Sequence, residues 1–167
     1  MFLLTSNGLF ESGNQGKKWN KIFGSKNGEE NALGLSRDPH NKKMLYLGTE
    51  GGLFRSQDNG RTWRKETNEL ARQFIHALEV DRENKELFIA SEKGLYRAIP
   101  HQKRLDLLYV TRTRAASDEI EDKTAEVANE FDLEIPTERD RIHAIVITHR
   151  PFPIVAIGTG EGVFVSE

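Results

Sequence analysis

Two histidines occupy matching places in the sequence, and their side chains are of a type that can bind a metal ion. His76 lies in an Ile-His-Ala-Leu segment and His143 in an Ile-His-Ala-Ile segment, and Asn31 matches them in an earlier stretch. Imidazole nitrogens bind transition metals and, when protonated, anions. Three inner strands that point these polar side chains into one channel would make a two-histidine metal or anion site. Because no carboxylate recurs with them, we favour ordinary strand-start residues hydrogen-bonded between repeats, and we expect no metal and no cofactor.

Glycan cleavage is the second chemistry that the residue types suggest. A sialidase-like site needs several arginines around the substrate carboxylate and a nucleophile with its base. Glycoside hydrolysis needs two carboxyl groups that face each other across a cleft. Arg37, Arg72 and Arg141 are present, but no repeated spacing brings them to one place. We therefore predict no catalytic residues, and a glycan-binding or glycoside-hydrolase-type module is the alternative function.

The composition limits the classes of partner. The 167 residues are 37% hydrophobic and 30% charged, with no cysteine and a net charge of −2. No apolar run approaches the ~20 residues of a membrane span, and the lack of cysteine removes disulfides and thiolate metal sites. We expect a cytoplasmic protein without membrane insertion. Nucleic acid is not an expected partner, since the basic residues are spread over many strands and form no stripe.

One phrase recurs four times and must position all of these side chains. Glycine followed by Leu or Val and an aromatic residue begins at Gly8, Gly52, Gly94 and Gly162. The first two glycines are 44 residues apart, the next two 42 and the last two 68. The first two spacings match the ~40–45 residues of a four-stranded propeller blade. Each phrase follows an apolar run and a turn, which indicates a hairpin because glycine tolerates positive φ.

Each complete unit is predicted to contain four antiparallel strands, A to D, with the apolar strand A innermost. Polar corners follow strand A, and the corner residues His40 and His149 are expected to face solvent. The fold class is all-β, a β-propeller of four-stranded antiparallel blades, with about four blade units in one domain and one short helical insertion. The blade units are residues 1–28, 29–69, 70–114 and 139–167, and the insertion is residues 115–138.

The insertion is the most individual part of the sequence. Ile120, Val127 and Phe131 recur at helical spacing, and residues 118–134 carry eight acids against one lysine. Such a helix ordinarily acts as a lid that packs its apolar stripe on its own propeller. The functional alternative is docking into a basic or apolar groove of a partner through these three apolar residues.

Two turns that follow a glycine hairpin share one pattern: Ser56-x-Asp58-x-Gly60-x-Thr62-Trp63 and, with Asn replacing Asp, Ser12-x-Asn14-x-Gly16-x-x-Trp19. This pattern resembles the Asp-box of the bacterial neuraminidase (BNR) repeat family. The resemblance implies a β-propeller in which the box is a structural hairpin and not an active site. Because the family includes sialidases, glycanases, sortilin-like receptors and photosystem assembly factors, the resemblance implies no single function.

The strand count leaves two ways to complete the propeller. The sequence opens with strands B, C and D and ends with strands A, B and C. Either a small four-bladed ring closes with two incomplete blades, or the chain is a half-propeller whose exposed edges need a partner. We favour the second and expect a homo-oligomer or a complex with a protein partner. The predicted function is a non-catalytic binding or assembly scaffold.

Overall fold

The computed structural model describes residues 1–24, 31–99, 104–110, 142–149, 154–160 and 162–166. These residues form four antiparallel sheets, each built from consecutive strands. Sheet 1 contains β1 (Phe2–Thr5), β2 (Gly8–Glu11) and β3 (Asn20–Phe23). Sheet 2 contains β4 (Ala32–Arg37), β5 (Leu45–Thr49), β6 (Gly52–Ser56) and β7 (Arg64–Lys65). Sheet 3 contains β8 (Ile75–Val80), β9 (Leu87–Ser91), β10 (Gly94–Ile99) and β11 (Arg104–Val110), and sheet 4 contains β12 (Ala144–Thr148), β13 (Ile154–Gly158) and β14 (Val163–Val165).

The predicted all-β fold with four antiparallel blade units is confirmed by these sheets. The predicted helical insertion, residues 115–138, lies outside the described residues. A short 3-10 helix, η1 (Glu69–Arg72), joins sheets 2 and 3. Its four residues complete little more than one turn, so periodicity gives no sign of it. The local signal is Asn68, whose side chain accepts a hydrogen bond from the Leu70 amide at 3.1 Å and caps the turn.

The core consists of apolar layers between consecutive sheets. Sheets 1 and 2 share a cluster around Leu9, Leu47 and Phe54, and each later pair of sheets has its own cluster. Alternate side chains of a strand point to opposite faces, so an internal sheet supplies residues to two layers. Strands β5 and β9 are accordingly buried along their whole length. Strand β8 contacts both β4 and β12, which brings neighbouring A strands side by side.

The four glycine hairpins share one hydrogen-bonding pattern. In the second hairpin, the Thr49 hydroxyl donates to the Gly52 carbonyl at 2.8 Å and accepts from the Gly51 amide at 3.1 Å. Gly52 has φ +134°, a conformation that costs a residue with a side chain about 1–3 kcal/mol. The same hydroxyl-to-carbonyl bond recurs in the other three hairpins, from Thr5 to Gly8, Ser91 to Gly94 and Thr159 to Gly162. A hydroxyl three residues before the glycine therefore closes every hairpin.

Candidate functional site

The Asp-box of sheet 2 is a closed network inside its own turn. The Ser56 hydroxyl donates to Asp58 Oδ1 at 2.8 Å and accepts from the Gly60 amide at 2.8 Å. Asp58 also accepts from the Thr62 amide at 2.8 Å and from the Thr62 hydroxyl at 2.6 Å. Bonding to Thr62, side chain first and then backbone, lowers the Asp58 pKa from 3.8 to about 2 despite the opposing effect of desolvation. The carboxylate is thus engaged by the hairpin itself.

The Asn-containing box of sheet 1 repeats most of this geometry. Ser12 donates to Asn14 Oδ1 at 3.0 Å and accepts from the Gly16 amide at 2.8 Å, while the Lys18 amide donates to the same Asn14 oxygen at 2.8 Å. Lys18 stands where the second box has Thr62, so this turn lacks the hydroxyl donor. Gln15 in this box and Asn59 in the second adopt nearly the same left-handed φ, 59° and 62°. An amide oxygen therefore replaces the carboxylate without changing the turn.

Trp63 connects the second box to the preceding sheet. Its indole Nε1 donates to the carbonyls of Gly60, at 3.0 Å, and Ile22, at 3.1 Å. The indole also meets the Phe23 ring edge-on, with ring centroids 5.5 Å apart. Gly60 beneath the indole has φ +88°, which favours glycine, and a Cβ there would also lie 2.6 Å from the end of the Ile22 side chain. Beyond its own turn, the box therefore holds sheet 2 against strand β3.

Asn59 extends this connection with polar contacts. Its amide nitrogen donates to Glu11 Oε1 at 2.8 Å, and its oxygen accepts from the Arg37 guanidinium at 3.0 Å. The guanidinium also lies over the Phe2 ring, 4.9 Å from the centroid. Arg37 is therefore engaged between sheets 1 and 2, while Arg72 is exposed in η1. Arg141, the third arginine considered for a carboxylate grip, lies outside the described residues.

The strand register places the candidate channel residues differently from the sequence alignment. Ala77 pairs with Ala90 and Ala144 with Gly158, so His76 and His143 do occupy equivalent positions. Their equivalent in sheet 2 is Leu33, because Gly34 pairs with Gly48. The alignment of Asn31 with the histidines is wrong by two residues. Both β4 and β8 contain a β-bulge at this matching place, between Ala32 and Gly34 and between Ile75 and Ala77, so the bulges do not cause the offset.

The two histidines also differ in environment. His76 is half-buried, and its ring lies 5.4 Å from that of Phe74, whereas His143 is exposed. Asn31 is half-buried, and its carbonyl accepts from the Glu50 amide at 3.1 Å. Within the residues that the structure describes, no group of three or more His, Asp and Glu is placed to hold a metal ion. A channel-lining role for Asn31, His76 and His143 stays a prediction.

The sequence predicts that the corner residue His149 faces solvent, and this prediction is wrong. Its Nε2 lies 2.6 Å from Asp81 Oδ1, and its side chain keeps only 14% of its exposure. Asp81 is buried and also accepts from the amide of Glu83 at 2.8 Å. This pair joins the corners of sheets 3 and 4, while the exposed His40 contacts the Arg82 carbonyl and joins the corners of sheets 2 and 3. The partners are distant in sequence, so no local pattern predicts them.

A second polar contact between sheets also escapes sequence reasoning. Ser36 donates to Glu79 Oε2 at 3.3 Å and accepts from the Val80 amide at 3.1 Å. Burial raises the Glu79 pKa, and the hydrogen bond from Ser36 and the charge of Arg82 oppose that rise. Gln73, which follows η1, joins that turn to sheet 3: its amide nitrogen donates to the Glu69 carbonyl and the Tyr96 hydroxyl, and its amide oxygen accepts from the Ser91 hydroxyl at 2.6 Å. The hydrogen bonds of these side chains are to other groups of the chain, and they stabilise the packing of the sheets.

The end sheets leave two apolar faces uncovered, and these form the strongest candidate interaction site. The residue after the hairpin glycine is 0% exposed at Leu9, 3% at Leu53 and 0% at Leu95, but its equivalent Val163 is 72% exposed. We name the leading face of sheet 4 by its exposed residues, Val146, Val163 and Val165. We name the trailing face of sheet 1 by its exposed residues, Met1 and Leu3. These five residues are all the exposed large hydrophobic side chains in the described part of the chain.

The trailing face shows the same contrast with its internal equivalents. Leu3 corresponds to Leu47, Ile89 and Ile157, each two residues before the hairpin hydroxyl. Those three residues are 0% exposed, whereas Leu3 is 44% exposed. The proposed docking residues of the insertion, Ile120, Val127 and Phe131, lie outside the described residues. No helix among the described residues has the length and hydropathy needed to cross a bilayer.

Comparison with known proteins gives one family and several similar structures. The model of the Sortilin-Vps10 family, described as sortilin and neurotensin receptor 3, matches residues 7–149. Among curated proteins no relative matches.

Three solved structures illustrate the similarity of fold. An ancestral GH74 enzyme has a TM-score of 0.70 at 14% identity, with 99% of this chain and 21% of that chain covered. The GH74 xyloglucanase from Xanthomonas campestris has a TM-score of 0.62 at 17% identity, covering 98% and 26%. The extracellular domain described as that of a hybrid two-component system from B. thetaiotaomicron has a TM-score of 0.66 at 18% identity, covering 99% and 19%. This chain thus spans about a fifth to a quarter of the length of each.

Proposed function

Because the chain belongs to the Sortilin-Vps10 family of Asp-box β-propellers, we propose that it is a non-catalytic binding or assembly scaffold. It holds a protein partner through its propeller faces and edge strands and through the acidic segment 115–138. The partner is a second copy of the chain or another protein. The observation that carries this proposal concerns the described residues, in which every exposed large hydrophobic side chain lies on the leading or the trailing face. Large apolar patches on soluble proteins mark sites of association.

The polar residues support the same function. The Asp-box side chains bond within their own turns, and the Trp63 indole packs between sheets. These groups therefore stabilise blades and leave association to the apolar end faces. A glycan-binding or glycoside-hydrolase module is the competing function, since two of the similar structures are GH74 enzymes. That likeness extends to the fold, and fold alone does not carry activity.

A paired capture experiment tests the scaffold. Val163→Asp places a carboxylate on the leading face, and Thr67→Asp adds the same charge at an exposed residue away from both end faces. We expect proteins from the source cell that bind the wild-type chain to bind the Thr67→Asp variant equally and to be lost with Val163→Asp. Equal capture by both variants would remove the end face from the function.

A glycan assay tests the competing function on the same protein. Purified chain is incubated with xyloglucan and with sialyllactose, and released reducing sugar and sialic acid are measured. We expect no turnover and no binding of either glycan. Sugar release that scales with protein concentration and disappears on substitution of a single carboxylate would contradict the non-catalytic proposal.

A further inference from the structure

The three internal sheet interfaces follow one rule. At each, the residue after the hairpin glycine of one sheet packs towards the next sheet: Leu9 of sheet 1, Leu53 of sheet 2 and Leu95 of sheet 3 are all buried. The receiving sheet contributes the residue two before its hairpin hydroxyl, such as Leu47 or Ile89. A leading face thus meets a trailing face each time. The chain contains both halves of a fourth such interface, and both are exposed.

We propose that the leading face of sheet 4 packs on the trailing face of sheet 1 from a second copy of this chain. This inference rests on the proposed scaffold function and names its partner. Val163 would then meet Leu3 of the other copy, as Leu53 of sheet 2 and Ile89 of sheet 3 join one cluster within the chain. Since both faces are exposed in the single chain, they do not satisfy each other there, and a second copy would supply the matching half of each.

The exposed residues of both faces are apolar, so the two faces can pack on each other. Val165 occupies the position of Arg55 and Arg97 in sheets 2 and 3, and Val146 that of Glu79. The leading face of sheet 4 has therefore exchanged charged groups for valines. The trailing face offers Met1 and Leu3, which are also apolar. Joining them buries apolar side chains and desolvates no charged side chain at these positions, and the Met1 ammonium already donates to the Ser12 carbonyl at 2.9 Å.

The geometry also allows the assembly to close. A leading-to-trailing contact is heterologous and generates a ring when the rotation closes. Two copies with four sheets each would give eight blades, within the ~4–8 blades typical of propellers. In such a dimer both named faces of each copy are covered, so neither remains for further growth.

Complementation between two blocked variants tests this arrangement. Val163→Asp blocks the leading face, and Leu3→Asp blocks the trailing face. Both side chains are exposed, so neither substitution places a charge in the core of the chain. Each variant alone should sediment as a monomer, since burying an unpaired carboxylate weakens association about a hundredfold or more. A mixture should restore a one-to-one complex, because one intact leading face still meets one intact trailing face.

Analytical ultracentrifugation of the 167-residue chain at micromolar concentration provides the readout, with circular dichroism to verify folding. Wild type and Thr67→Asp should both sediment as a closed dimer. A wild-type monomer, a dimer that survives either blocking variant, or a mixture that stays monomeric would overturn the proposal. The wild-type chain could also prove monomeric while the proteins it captures are lost with Val163→Asp. That result would leave the scaffold function standing and would exclude only a second copy as the partner on this face.

Discussion

At the residue scale, the Asp-box shows how a short network makes a carboxylate structural. Asp58 accepts three hydrogen bonds from Ser56 and Thr62, whereas Asn14 in the first box makes the corresponding turn without a charge. The turn therefore requires an oxygen acceptor at this position, and the charge adds stability. The oxygen acceptor is thus a requirement of the turn, whereas the negative charge contributes to its free energy.

The lowered pKa of Asp58 predicts acid-sensitive stability. A carboxyl group whose folded pKa is about 2 and whose ordinary pKa is 3.8 stabilises the fold fully above the ordinary value. The stabilisation is lost as the pH falls towards the folded value. Asp58→Asn should be less stable than wild type at pH 7, and the difference should shrink steadily below pH 4. Urea unfolding from pH 7 to pH 2 measures this difference.

Thr62→Val provides the matched variant for this prediction. It keeps the carboxylate but removes the hydroxyl, whose bond to Asp58 is the largest cause of the lowered pKa. The Asp58 pKa, followed by NMR, should rise towards its ordinary value. An unchanged pKa in Thr62→Val would show that another group holds the carboxylate in its charged form.

At the scale of the elements, the sequence predicts what local chemistry determines. The hairpins depend on Gly52 and its equivalents and on the hydroxyl three residues earlier, all within four residues of chain. The sheet-to-sheet contacts depend on residues far apart, such as Asp81 and His149, and no local pattern encodes them. The Asn31 alignment failed for a related reason, since equivalent positions are set by pairing with the neighbouring strand, where Gly34 pairs with Gly48 and Ala77 with Ala90.

We predict that substituting the two equivalent Asp-box tryptophans lowers the free energy of unfolding by different amounts. Trp63→Phe removes the indole N–H that donates to Ile22 of the preceding sheet. It should lower the free energy of unfolding by about 1–3 kcal/mol, because a carbonyl partner is left unpaired. Trp19 occupies the same place in sheet 1, before which the described chain contains no sheet, so Trp19→Phe should cost less. Urea unfolding followed by circular dichroism compares the two, and equal losses would contradict the role of Trp63 between sheets.

At the scale of the whole molecule, we expect the stability of each sheet to depend on how many of its faces are covered. Sheets 2 and 3 are packed on both faces, whereas sheets 1 and 4 each leave one face exposed in the single chain. In stacked repeats, each unit is stabilised mainly by its nearest neighbours. The end sheets of a monomer are therefore expected to open more readily than the internal sheets.

Hydrogen exchange should show this gradient and its removal by assembly. In Val163→Asp, the amides of β13 should exchange faster than those of β5 and β9. In the proposed dimer, β13 should approach their protection, because the leading face would be covered. Thr67→Asp serves as the control and should match wild type. Identical protection of β13 in Val163→Asp and wild type would mean that no neighbour covers sheet 4.

The hairpins spaced 44 and 42 residues apart have a consequence for the gene. The residue after the hairpin glycine and the residue two before the hairpin hydroxyl are aliphatic in every unit, so removing or duplicating one whole unit by unequal recombination joins aliphatic contacts that already fit. Such an event changes the number of blades while each boundary keeps its chemistry. The length of the array can therefore drift over evolutionary time more freely than the composition of any one boundary.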